Sequence, residues 1–347
     1  MTGVALLWAV SVALSAISIM VMCGLIVVRV VSLKSTETAL SEERALAARL
    51  IKFTGVGDEE AMLSILKASQ PKTVIKVAFD FMQMVRGEEA EKVRAVLQRS
   101  GLPDYIRRQL RSSRVSMRVH AAELLQLFPA PSTRTALLRA LRDAHPEVRL
   151  AAAIGLLKLG YQDRLRDLLE LVGPTAQHSA RVFEMFNNAP PQAYSELLKI
   201  AADPRMDDFV RSEAIRAMAT KGDLSFLAAL KKLSTDASPV VAAAAVEALG
   251  RLGHPTGVSD IRRALESDIW ELRAAAAEAM GRGGFYMFAH ELGSLLHDPE
   301  WVVQYAAAKA LARLGAEGQK QLEIATTSGP VADRQKVELM LKEARAN

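Results

Sequence analysis

The sequence predicts an all-α protein, an α-solenoid of stacked helical hairpins preceded by one transmembrane helix. Three observations predict it. Residues 2–28 carry no charge, an eighteen-residue pattern recurs at 31-residue steps with Gly or Pro closing each copy, and aromatics are scarce. Half of the 347 residues are hydrophobic but only 5% are aromatic. That balance suits helices packed at close range better than a sheet core of Val, Ile, Thr and aromatic side chains. Thirteen prolines and twenty glycines are too few for disorder and stand between the Ala-rich runs as punctuation.

The N-terminal stretch TGVALLWAVSVALSAISIMVMCGLIVV exceeds the ~20 apolar helical residues that a bilayer core requires. No Lys or Arg precedes it, and it is longer than the apolar core of a cleaved signal peptide, so an uncleaved anchor over residues 1–30 is expected. Arg29, Lys34, Arg44 and Arg49 follow it. The positive-inside rule then places the rest of the chain in the cytoplasm, as a single-pass inner-membrane protein, with a periplasmic orientation as the alternative. The single cysteine, Cys23, lies inside this stretch, which excludes an intrachain disulfide and a cysteine-based zinc site.

Residues 31–87 read as a helical linker or N-terminal cap. Its most apolar helix, PKTVIKVAFDFMQMVRG, confines Lys72, Lys76, Asp80 and Gln83 to one narrow stripe. A helix apolar nearly all round should be buried, either against the first repeat or against lipid or a membrane partner. Repeats of about 31 residues are expected over 88–328, beginning with GEEAEKVRAVLQRSGLPDYIRRQLRSS as a shortened first hairpin.

Windows starting at residues 112, 143, 205, 236, 267 and 298 align without a gap, and the one step of 62 hides a degenerate copy beginning at Pro174. The sixth place of the windows holds Met117, Val148, Ser179, Val210, Val241, Leu272 and Val303. The tenth holds Ala121, Ala152, Phe183, Ala214, Ala245, Ala276 and Ala307. The fourteenth holds Leu125, Leu156, Asn187, Met218, Leu249, Met280 and Leu311. Steps of four put these places on one helix face, the buried one. The small tenth residue is expected to be where neighbouring helices approach. The eighteenth place, Gly or Pro throughout, ends each first helix. Shorter runs such as DRLRDLLELVG and TGVSDIRRALES then supply a second helix of about three turns. One such hairpin cannot bury its apolar face alone, so copies must stack. In the degenerate copy, Phe183 and Asn187 should spread the stack, making 174–191 a kink, a docking groove or simply a drifted repeat. Residues 329–347 read as a capping helix.

The pattern Asp–x–x–Pro–x–Val–Arg–x–x–Ala stands in Asp143, Pro146, Val148, Arg149 and Ala152, and recurs in part at Val210, Arg211 and Ala214 and at Leu272, Arg273 and Ala276. On these residues the chain resembles the HEAT-repeat family, in particular its short bacterial form also found in phycobilin lyases, over about residues 88–345. The resemblance implies an interaction surface. It also implies that Asp–Arg pairs brace adjacent repeats, so Arg118, Arg149, Arg211 and Arg273 are expected to be structural, with Ala180, Ala242 and Gln304 interrupting the ladder. The competing class is a HEAT-type enzyme of the lyase or hydroxylase kind. Deoxyhypusine hydroxylase, an enzyme with this repeat, holds two irons with several His-Glu pairs, and only His290–Glu291 has that form here.

No Gly-x-Ser-x-Gly, P-loop, dinucleotide fingerprint or carboxylate dyad is present, so the sequence nominates no catalytic residue, cofactor or metal ligand. Three surface features remain. Trp270, Phe285, Tyr286, Phe288, Trp301 and Tyr305 concentrate a third of the eighteen aromatics within residues 270–305. Trp270, Trp301, Tyr286 and Tyr305, with Lys309 and Arg313, are the candidate partner-binding residues; Phe285 and Phe288 are expected in the core. At the sixteenth place, Arg251, Arg282 and Arg313 form a basic row, with Glu247 and Glu278 placed four residues ahead for intrahelical pairs. Between Arg86 and Arg118, nine basic residues face four acidic ones. Arg107, Arg108, Arg111 and Arg114 are candidates for contact with anionic headgroups. Nucleic acid is not expected as a partner, because the charge is local and no stacking aromatics are interleaved with it. The expected function is a non-enzymatic, membrane-tethered scaffold that docks a membrane-associated protein, within an inner-membrane envelope or polysaccharide assembly.

Overall fold

The computed structural model describes residues 40–55, 57–161 and 164–327, together with Met22. The expected anchor over 1–30 and the expected cap over 329–347 lie outside the described residues. Among the described residues no helix is long and apolar enough to cross a membrane, and all regular secondary structure is helical.

The described residues fall into two compact bodies, one reaching to residue 113 and including 127–133, the other comprising 114–126 and everything from 134 onward. The first body contains α1 over 40–55, α2 (Glu59–Ala68), α3 (Pro71–Met84), α4 (Gly87–Arg99) and α5 (Leu102–Gln109). Helix α3 buries Val74, Val77, Ala78 and Phe81, while Lys72, Lys76, Asp80 and Gln83 are exposed as their spacing predicts. It packs on α5, and Lys76 reaches Glu43 of α1 at 2.7 Å. Helices α4 and α5 form the expected short hairpin, with Val93 fully buried and Arg94 donating to the Leu127 carbonyl at 3.0 Å.

The second body is the repeat array. Its longer helices are α6 (Val115–Leu125), α8 (Pro146–Lys158), α10 (Ser179–Asn187), α12 (Asp208–Lys221), α14 (Pro239–Leu252), α16 (Trp270–Gly283) and α18 (Trp301–Arg313). Each packs on the next to form one layer. The shorter α9 (Leu165–Val172), α11 (Tyr194–Ala202), α13 (Leu227–Leu233), α15 (Val258–Leu265), α17 (Ala289–Ser294) and α19 (Gly315–Thr327) lie against that layer. Helix α7 (Pro131–Ala140) follows α6 in the chain. The degenerate copy folds as a hairpin like the others, α10 with α11, which accounts for the doubled step. Gly222, Gly253, Gly284 and Gly315 close their helices at φ between 62° and 70°, a left-handed conformation that glycine adopts without a side-chain clash.

Arginine at the seventh place braces the aspartate that opens the next repeat. Arg118 donates from Nε and Nη2 to Asp143 at 2.8 and 3.0 Å, and Arg273 grips Asp298 in the same way at 2.7 and 2.9 Å. Arg211 binds Asp236 through two nitrogens. Where the next repeat opens without Asp, the seventh place is Ala (Ala180 before Arg205, Ala242 before Ser267) or the arginine turns to backbone. Arg149, followed by Pro174, donates to the Val172 carbonyl at 2.7 and 2.9 Å.

Two expectations are corrected. The tenth place is buried, but the closest helix approach lies elsewhere. A Cβ on Gly250 would stand 2.4 Å from the Ala279 Cα, and one on Gly281 would stand 2.5 Å from the Ala310 Cα. The fifteenth place of one helix therefore rides on the thirteenth of the next, because adjacent long helices contact along their flanks and the tenth residue points into the hairpin interior. Phe183 is likewise not the spacer in the degenerate copy. Helix α10 buries Val182, Met185 and Phe186, leaving Phe183 half-buried and Asn187 exposed. The bulk at the flank is Phe186, fully buried, with Leu157 at the corresponding place of α8. Helix α10 accordingly packs less extensively on α8 than on α12.

Candidate functional site

The turn around α10 shows how the degenerate repeat departs from the rest. Ser179 stands where other repeats place Val, Leu or Met, and Glu213 of α12, at the ninth place, stands where Ala244, Ala275 and Ala306 stand in their helices. The two exceptions meet. The Ser179 hydroxyl donates to Glu213 Oε1, and Arg216 Nη1 donates to the same carboxylate at 3.3 Å. Glu213 is 3% exposed, so both donors are needed to hold its charge away from water. Just before, His178 Nδ1 accepts the Thr175 backbone N–H at 3.1 Å, which places the ring proton on Nε2, facing Glu147 at 3.7 Å. The proximity of this ring helps hold the Glu147 carboxyl below the usual range, after its own backbone N–H.

From this copy an open groove of about 850 Å³ runs across the long helices α10, α12, α14 and α16. Its apolar lining is Ala180, Phe183, Ala219, Ala244 and Ala248, and its charged lining is Glu213 with Arg216, Glu247 with Arg251, and Glu278 with Arg282. Toward the N-terminal side the same face is crossed by Arg181, which reaches past α8 to Glu123 of α6 at 2.7 Å. The degenerate copy is therefore the end wall of a groove, and Phe183 lines it because the register of α10 turns that side outward.

The expected basic row is present in part. Arg251 and Arg282 line the groove. Arg282 pairs with Glu278 at 3.6 Å, as the four-residue spacing predicts. Arg251 does not pair with Glu247, which corrects that expectation: Arg251 extends into solvent while Glu247 is half-buried. Burial raises the Glu247 carboxyl above the usual range despite the neighbouring Arg216, and the nearby Glu278 adds to the rise.

The aromatic candidates divide. Trp301 and Tyr305 stack at 5.3 Å with their planes 13° apart, and Lys309 Nζ lies 5.9 Å from the Tyr305 ring centre. With Arg313 they form a single stripe at steps of four along α18. Trp301 is 50% exposed and Trp270, at the same place in α16, 38%. Tyr286 is exposed too, but lies beyond the C-terminus of α16, at the other end of that helix from Trp270. Phe285 is buried, whereas Phe288 is only half-buried beneath the Arg262 guanidinium at 5.9 Å.

Much of the basic stretch is already engaged. Arg94 pairs with Glu91, Arg99 with Glu59 and Glu60, Arg107 with Asp104, and Arg118 with Asp143. Arg108, Arg111 and Arg114 are exposed; Arg114 belongs to the second body and the other two to the first. Among the described residues no group of three or more His, Cys, Asp or Glu is placed to hold a metal ion. His290 and His297 border a separate shallow hollow of about 340 Å³ beside Gln321.

A family model described as HEAT repeats matches residues 103–181, 226–284 and 265–342, together more than half of the chain. No curated protein matches it. Among solved structures it is similar to human deoxyhypusine hydroxylase in complex with glycerol, at 17% identity over 81% of this chain and 98% of that one, TM-score 0.33. It is similar to the complex of CpcE and CpcF of phycocyanin lyase from Nostoc sp. PCC7120, at 20% identity over 70% and 94%, TM-score 0.33. It is also similar to the karyopherin Kap121p bound to the extreme C-terminus of the protein phosphatase Cdc14p, at 13% identity over 83% of this chain, which spans 42% of that structure's length, TM-score 0.40.

Proposed function

The chain belongs to the HEAT-repeat family, and from that membership we propose that it is a non-enzymatic, membrane-tethered scaffold that docks a membrane-associated protein on its repeats. The observation that carries this reading is the pair of exposed tryptophans, Trp270 and Trp301, at one repeat place, with Trp301 stacked on Tyr305. Large aromatic side chains left in water at the same place of adjacent repeats cost hydrophobic free energy that a partner would recover. Tyr305, Lys309 and Arg313 extend the surface along α18, giving it an apolar start and a cationic end. Residues 1–30, uncharged over 2–28, supply the tether. An anchored scaffold meets a membrane-bound client at high local concentration, so moderate affinity suffices. An inner-membrane assembly is the client class, and the repeats face the cytoplasm.

The test is affinity purification of the detergent-solubilised full-length protein from its host, beside Trp270→Ala/Trp301→Ala and a chain lacking residues 1–30. Enrichment of one integral-membrane complex by the wild type, lost in the tryptophan variant, is the expected result. A wild-type preparation that brings down no specific protein but carries a pigment, a metal or nucleic acid overturns the reading in favour of a lyase-like, hydroxylase-like or nucleic-acid-binding protein.

A further inference from the structure

Helix α1 has two unlike faces. One buries Leu46, Leu50 and Phe53 and is tied down through Glu43, which accepts from Lys76 of α3 at 2.7 Å. The other is turned outward, yet it is not an ordinary solvated face. Ile51 is 63% exposed and Leu40 41%, with Ala45 and Ala48 exposed on the same side. Arg44 and Lys52 lie within this side, and Arg49 stands along its edge, two turns after Glu42. No further acid follows Glu43 until Asp58. In the same body Arg94, Arg99 and Arg107 are engaged by carboxylates, whereas among the described residues Arg44, Arg49 and Lys52 enter no ion pair.

We infer that the outer face of α1 lies on the membrane surface, with Leu40 and Ile51 seated among the headgroups of anionic lipid and Arg44, Arg49 and Lys52 against their phosphates. The place of α1 in the chain selects this occupant. The uncharged stretch ends at Val28 and α1 begins at Leu40. The intervening residues 29–39 reach at most about 40 Å when fully extended, so α1 starts within reach of the surface at which the span ends. Its chemistry agrees. The two aliphatics stand at opposite ends of the helix with small and cationic residues between them. That spread suits a fluid headgroup layer, whereas a protein hot spot gathers large side chains at one centre. Aliphatic side chains enter the headgroup boundary, and the stems of Arg and Lys run along it with their charges outermost. A span followed by a surface-bound helix holds the first body at headgroup level instead of letting it swing on a linker. The inference rests on the tether of the scaffold reading, but it concerns a surface separate from Trp270 and Trp301.

The experiment places the full-length chain in lipid nanodiscs, with Cys23→Ser removing the native thiol and Ile51→Cys carrying an environment-sensitive fluorophore. Discs of phosphatidylcholine alone are compared with discs of one part phosphatidylglycerol to three of phosphatidylcholine, each with and without brominated acyl chains. In the anionic discs the label should shift to the blue and be quenched by brominated lipid, and salt at about 0.5 M should weaken both effects. Each basic residue near an anionic surface contributes about a fivefold preference for it. Arg44→Gln/Arg49→Gln/Lys52→Gln should therefore lower the bound-to-free ratio of α1 by about a hundredfold. All three side chains are exposed, so the far-ultraviolet circular dichroism should not change. A label that brominated lipid does not quench, whether it is wet or shielded by protein, overturns the inference. So does quenching that ignores lipid charge or survives the triple substitution. Co-elution of the chain with the discs reports the tether separately. A chain that enters the discs without quenching loses only the α1 contact, and one that never enters them loses the tether and both readings with it.

Discussion

Arg273 of one repeat and Asp298 of the next are joined by a two-point bond, Nε to Oδ2 at 2.7 Å and Nη2 to Oδ1 at 2.9 Å. Asp298 Oδ1 also accepts the Glu300 N–H at 2.9 Å, just ahead of α18. The same arginine donates to the Ser267 and Asp268 carbonyls at 2.9 and 3.1 Å. One side chain thus ties the loop before its own helix to the loop before the following one, and both partners are largely buried.

Asp298→Asn should lower stability in urea by about 1.5–3 kcal/mol at neutral pH, the range for hydrogen bonds to charged groups. Its bond to Arg273 holds the Asp298 carboxyl below the usual range. Its contribution is therefore complete above the unfolded-state value of about 3.9 and is lost as pH falls through the depressed folded value. The gap between wild type and Asp298→Asn should shrink steadily in melts below about pH 4. A gap independent of pH would contradict this account.

Gly281→Ala should destabilise although alanine is the better helix former. The added Cβ would meet the Ala310 Cα at 2.5 Å, and overpacking of this kind costs about 1–3 kcal/mol against the roughly 1 kcal/mol that helix propensity returns. A urea melt with an unchanged or raised midpoint would show that α16 and α18 can separate freely.

The register of α10 predicts unequal effects for two neighbouring phenylalanines. Phe186→Ala should cost about 3–5 kcal/mol, as expected for a fully buried aromatic, and Phe183→Ala much less. Equal losses by calorimetry would return Phe183 to the packed core.

Ser179 and Glu213 should behave as a coupled pair. Ser179→Val alone removes one donor from a buried carboxylate and should cost about 1–3 kcal/mol. Ser179→Val with Glu213→Ala restores the apolar residue types that stand at these places in other repeats and should cost less than the two single changes added together. Simple additivity in the double-mutant cycle would mean that the two side chains do not depend on each other.

The fold was largely legible because a repeat states its packing rule several times over. Val148, Ala152 and Leu156 predict a buried helix face, and Val241, Ala245 and Leu249 repeat the statement. The glycines at the eighteenth place mark the helix ends, and the resemblance to HEAT repeats implies that Arg118, Arg211 and Arg273 brace adjacent repeats. The candidate site was legible only as a departure from that rule, in the degenerate copy at 174–191. A single buried face does not describe the whole of such a helix. A first-layer helix touches two neighbours as well as its own hairpin partner, so three sides compete for burial. The spacing of apolar residues cannot rank those sides when Ala occupies most of them.

The 31-residue period and the helix ends are properties of chain-local chemistry: side-chain size and backbone conformational preference recur at fixed offsets and need no partner to be read, whereas the seventh-place brace was implied by the resemblance to HEAT repeats. Which flank carries the closest approach, that Ser179 meets Glu213, that Phe183 turns outward while Phe186 turns in, and that Arg251 leaves Glu247 without its intrahelical pair were settled only by the stacking of the repeats. These are relations between residues about thirty positions or more apart, or choices between solvent and burial. Such choices depend on the free energy of desolvation at a particular place in the stack, which no local pattern encodes.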